Sequence, residues 1–234
     1  MPVFPRTNFN SSPLVRLLAG MDLGAAAGSK QTIAERMSQW LAWNDAIALS
    51  GALGSGPGPG ASTAALPLGA AAVTAALARV RSDLARAITL DAPASADLSV
   101  APSASAPAAP TPTAADAIDW TSCRRHLVTQ QQAMESRIAT LRAPVRAALA
   151  AHSPALAKLA ALDAVFEKAL APRERQLLAT VPGLLAGHPT GDAAQALQTL
   201  HSVLMAELDT RLQPVEGMIE ALVAACGGDA TRHA

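Results

Sequence analysis

From Leu127 onward the residues Leu127, Gln131, Met134, Ile138, Leu141, Val145 and Ala148 or Leu149 recur at alternating steps of four and three, with Gln131 the one polar member. Such a repeat puts its members on one stripe of an α-helix, and an apolar stripe must be covered by another helix. Two more stripes follow. Leu156, Leu159, Leu162 or Asp163, Phe166, Leu170, Leu177, Val181 and Leu184 make the first; Leu197, His201, Leu204, Leu208, Arg211 or Leu212, Val215, Ile219 and Leu222 make the second. Ser153 and Pro154 form a cap and first-turn pair between helices, residues 188–192 (HPTGD) a turn, and Gly227 with Gly228 a stop. Pro144, Pro172 and Pro214 lie inside the stripes and predict bends. Residues 116–226 therefore read as an antiparallel bundle or coiled coil of three long bent helices, with a tail at 227–234.

Composition extends this all-α reading to the whole chain. Alanine supplies about a quarter of the residues, aromatics only 3%, and tyrosine is absent, a mixture that favours helix over strand. The expected N-terminal helical block spans 1–50. In it Ser12 and Pro13 open a short helix carrying Leu14, Val15, Leu17 and Leu18, and a second helix from about Ser29 to Gly51 carries Ile33, Met37, Trp40, Leu41, Asn44 and Ile47 on one face. Residues 51–69, broken by glycine and proline, read as a flexible linker. Val73, Leu77, Val80, Leu84 and Ala87 or Ile88 predict an amphipathic helix over 70–91, and the Ala/Pro/Ser-rich stretch 92–115 reads as a second, disordered linker.

Charge excludes one class of function. The 18 basic and 18 acidic residues cancel, leaving no global field with which to hold a nucleic-acid backbone. No apolar run is clean enough to predict a transmembrane segment, and no signal-peptide pattern opens the sequence. With Cys123 and Cys226 far apart, the chain reads as a cytoplasmic protein with free thiols. Residues 117–187 hold 9 basic and 5 acidic residues, residues 188–234 hold 2 and 6, so the last helix is expected to dock on the preceding pair.

Chemistry-bearing patterns are few. Cys123 and His126 have a C-x-x-H spacing without a second ligand pair, so no metal is expected; no P-loop, dinucleotide fingerprint or nucleophile elbow occurs, so no cofactor and no enzymatic activity are expected. Trp40, Trp43, Asn44 and Asp45 are the densest unusual cluster. Trp40 and Trp43 lie one turn apart, suited either to docking a partner helix or to packing on the bundle with their indoles hydrogen-bonded to Asn44 or Asp45. Gln131 either fixes helix register from within the core or sits at its edge, flanked on the surface by Gln130 and Gln132. Arg124, Arg125, Arg137, Arg142 and Arg146 read either as a strip for an anionic partner or as a solvated face answered by the acidic last helix.

The segments RTNFNSSPLVRLLA, AERMSQWLAWNDAIALSGAL, RRHLVTQQQAMESRIATLRAPVRAALA, LAALDAVFEKALAPRERQLLATVPGLL and LMAELDTRLQPVEGMIEAL together resemble a proteobacterial family known only as a domain of unknown function. The resemblance lies in both terminal blocks and outside the linkers. It transfers no fold, activity or catalytic residue. It implies genes neighbouring those for stator-like membrane proteins and OmpA-like peptidoglycan-binding proteins, and hence an accessory role in a cell-envelope assembly. The resulting expectation is a non-enzymatic scaffold or adaptor that associates with a protein partner or with itself through helices. An enzyme or small-molecule-binding protein with a site inside the bundle is the alternative.

Overall fold

The computed structural model describes residues 12–20, 41–54, 68–90, 119–187 and 193–232. Among them the backbone is 94% helical and contains no strand, as composition and periodicity require. The helices are α1 (Pro13–Gly20), α2 (Trp43–Gly54), α3 (Ala70–Leu90), α4 (Trp120–His152), α5 (Pro154–Leu178), α6 (Val181–Gly187) and α7 (Ala193–Arg232). Trp40, the turn at 188–192, residues 55–67 of the first expected linker and the whole of the second, 92–115, lie outside these stretches.

Local signals set most helix ends. Ser153 is extended; its hydroxyl accepts from the Leu156 amide at 3.3 Å, and Pro154 opens α5 where its missing donor is not needed. Asp119 caps α4 by accepting from the Thr121 amide at 2.9 Å and from the Ser122 hydroxyl at 2.6 Å. The Ser122 bonds, foremost among these contacts, hold the Asp119 carboxyl below its ordinary pKa. Other ends depart from expectation. α2 continues past Gly51 to Gly54, and α7 runs through Gly227 and Gly228 to Arg232, because each glycine costs a long helix only about 1 kcal/mol. The second C-terminal helix instead breaks at Ala179 and Thr180. There the Thr180 carbonyl accepts from the Leu184 amide at 3.2 Å, and Pro182 sits in the first turn of α6.

α7 is the central helix. Leu200, Val203, Leu204, Leu208, Leu212, Val215, Met218, Ile219 and Leu222 are all buried, a band too wide for a single neighbour. α1, α3, α4 and α5 all pack on it. The third wall of the core is α3 and not the helix that follows α4: Val73, Leu84 and Ile88 are buried against α4 and α7. α5 buries only Ala160 and lies along α4, with α2 packed on it. Its partners on α4, 175 with 135, 167 with 142 and 163 with 146, run in opposite order, so the chain folds back antiparallel after Ser153. The core expected from the three C-terminal helices alone therefore includes α3 as well, which buries Val73, Leu84 and Ile88 where α5 buries only Ala160.

Candidate functional site

The most unusual chemistry of the molecule lies where α4, α5 and α7 meet. Gln131 is buried, so it is a core residue and not an edge one. Its side-chain amide donates to Glu207 Oε2 at 3.0 Å and to the Leu178 carbonyl at 3.3 Å, tying α4 to both α7 and the end of α5. Glu207 has no exposed surface. Its other oxygen accepts from Arg211 Nε at 2.8 Å, and Arg211 reaches Glu174 of α5 at 3.3 Å. A buried carboxylate is tolerated only when its oxygens are hydrogen-bonded and its charge answered, and Gln131 and Arg211 do both. Gln130 is buried too, which corrects its expected surface position; Gln132 is exposed.

About three turns further along α4 lies a square of charges. Arg142 and Arg146 stand four apart on α4, Asp163 and Glu167 four apart on α5, and each arginine contacts both acids. All four side chains keep only about a quarter of their surface or less. Burial pushes the Glu167 carboxyl up, but the hydrogen bonds and charges of Arg146 and Arg142 outweigh it and hold its pKa below the ordinary value. Arg146 is the converse: burial opposes its charge, the two acids reinforce it, and its pKa rises. These acids belong to α5 and not to the last helix. Arg137 likewise pairs with Asp83 of α3, and the α7 acids Asp209 and Glu216 are met by Arg81 of α3. Arg137, Arg142 and Arg146 of α4 are thus answered by α3 and α5, which corrects for these three the expected pairing with the acidic last helix.

Among the described residues, clefts open where α5 meets its neighbours. One of about 470 Å³ lies between α1, α5 and α7, lined by Leu14, Leu170, Leu177, Leu178 and Pro214 with Arg142 and Arg211 among its polar residues. A second, of about 420 Å³, lies beside Gln131 and Pro182, and a third, of about 90 Å³, beside Glu135 and Arg142.

α2 carries the other predicted cluster. Trp43 is 80% exposed and Asn44 is exposed, so the indole is not packed on the bundle as one of the two expectations had it. Asp45 turns back to accept from the Ala42 amide at 3.1 Å, which closes the first turn of the helix. Ile47, four residues after Trp43 and on the same face, is 56% exposed. The structure therefore does not bring Gln131 together with Trp43, Asn44 and Asp45: the first is inside the α4–α7 seam, the rest are on the outer helix. Cys123 is a buried free thiol whose pKa is raised by burial and by Asp119, and Cys226 is an exposed one. Among the described residues no group of three His, Cys, Asp or Glu side chains is placed to hold a metal, and no helix is long and apolar enough to cross a membrane.

Sequence reasoning missed Glu207. It lies between Leu204 and Leu208 of a stripe that accounts for itself without it. The signal was Gln131: a polar residue on a buried seam demands a polar partner on the facing helix.

Together the packed helices and their polar seam define an all-helical bundle protein. The chain belongs to the family described as "Protein of unknown function (DUF3348)", whose model matches residues 1–191 and 189–224 and so runs through the two Ala/Pro-rich tracts as well as the helices. No curated protein and no solved structure matches it.

Proposed function

We propose that the protein is a non-enzymatic helical scaffold or adaptor, acting in the cytoplasm through helix-mediated association and accessory to a bacterial cell-envelope assembly. The observation that supports this reading is the outer face of α2. This helix buries none of its residues, yet it presents Trp43 and Ile47 side by side to solvent. A large aromatic beside a β-branched residue is the kind of anchor that supplies binding energy at protein interfaces, and nothing in the isolated chain requires it to be exposed. The partner is a protein presenting an apolar helix face, either a second copy or an envelope-associated protein.

Affinity purification from the native cell, with and without membranes, tests this reading against a Trp43→Ala, Ile47→Ala variant. Recovery of a defined partner is expected to fall more than about tenfold, equivalent to about 1.4 kcal/mol, with helicity unchanged. Equal recovery by the variant would sink the assignment to α2. The cleft of about 470 Å³ between α1, α5 and α7 favours a second reading, a small-molecule-binding protein, since its size lies within the range of ligand sites. A thermal-shift panel separates the two, because a ligand in that cleft raises the melting temperature whether or not Trp43 is present.

A further inference from the structure

We propose that α5 is an electrostatically latched strap, which lifts from the α4–α7 groove and re-seats as a unit while the α3–α4–α7 core stays folded. The inference does not depend on the docking role of α2. Its first support is what holds α5 down. Only Ala160 is buried; Leu156, Leu159, Phe166 and Leu170 are half-buried at a contact that leaves room for the clefts already described. Against this thin apolar contact stands a row of ionic ones along the helix. Asp163 and Glu167 meet Arg142 and Arg146, Glu174 meets Arg211, and Arg175 meets Glu135.

The second support is how α5 is tethered. At its start a single extended residue, Ser153, joins it to α4, and at its end the Ala179–Thr180 turn leads into α6, where Val181, Pro182 and Leu185 are buried. Both ends are anchored beside α4, so the segment opens outward between fixed points and does not swing free. α2 packs on α5 and travels with it. Opening exposes the Gln131–Glu207–Arg211 cluster and the leucines lining the cleft of about 470 Å³.

Charge pairs and apolar contacts respond differently to salt, which makes the latch testable: salt screens the former and does not weaken the latter. The experiment is native-state hydrogen exchange on the full chain at about 0.05 M and about 0.5 M NaCl. Amides of α5 are expected to exchange at least about tenfold faster than those of α4 and α7, and to accelerate with salt while α4 and α7 do not change. The double variant Arg142→Glu, Arg146→Glu is expected to speed exchange in α5 alone, and adding Asp163→Arg with Glu167→Arg to restore it. Protection of α5 equal to that of α7 would overturn the proposal. So would loss of α7 protection together with α5 in the double variant, or failure of the fourfold charge swap to restore α5.

Discussion

α3 and α5 both lie against α4, and both carry leucine or valine at helical spacing, yet different forces seat them. α3 inserts Val73, Leu84 and Ile88 fully into the core. α5, although four residues longer, buries only Ala160 and engages α4 and α7 through acids and arginines. The apolar mode is non-directional and grows with area, so α3 is expected to be as stable as the core it completes. The ionic mode depends on geometry, on solvent and on both partners keeping their charge. Two helices of similar amphipathic pattern can therefore differ widely in how tightly they belong to the same fold.

The sharpest way to break this contrast is to truncate the α3 anchor. Leu84→Ala is expected to cost about 2–5 kcal/mol in urea denaturation, because it opens a cavity where the surrounding helices cannot collapse. A cost under about 1 kcal/mol would mean that α3 is as loosely held as α5. Next in size is the polar seam. Glu207→Ala leaves the Gln131 amide and the Arg211 guanidinium short of a buried partner and is expected to cost about 2–3 kcal/mol, less than a fully isolated pair because Arg211 keeps Glu174.

Acid sharpens the comparison from the α5 side. The Glu167 pKa is lowered in the folded state, so its contribution is fully present above the ordinary value of 4.5 and is lost as pH falls through the lower folded value. Titrating downward from about pH 5 should therefore loosen α5 before α3, seen as earlier loss of hydrogen-exchange protection in α5. Simultaneous loss in both helices would show that they form one cooperative unit. The smallest effect is expected on the outermost helix: Trp43→Ala should change stability by no more than about 0.5 kcal/mol, because the indole is mostly in water. A larger cost measured on the isolated protein would place Trp43 in a packed contact and end its candidacy as a docking residue.

Much of the local structure was legible in the residues. The α3 span, the Ser153–Pro154 joint and the α4 seam from Leu127 to Leu149 all depend on neighbours three or four positions apart, and spacing reports such neighbours directly. Gln131 was legible as an oddity but not as half of a pair, since Glu207 is distant in sequence and lies beside leucines that already explained the helix. The exposure of Trp43 could not be read either. A tryptophan at helical spacing looks the same whether its helix is central or outermost.

The sequence by itself determined that this chain is helical, where most of its described helices begin, and which face of each is apolar, because caps, propensities and periodicity act within a few residues. The tertiary structure alone decided which stripes meet: α3 against α4 and α7, α5 held at the side by its acids, and α2 outside with its tryptophan in water. The physical reason is that apolar burial has no address. Leucine stripes on α3 and α5 look nearly interchangeable as partners for α4, and how deeply each is buried is settled only by contacts between segments distant in the chain.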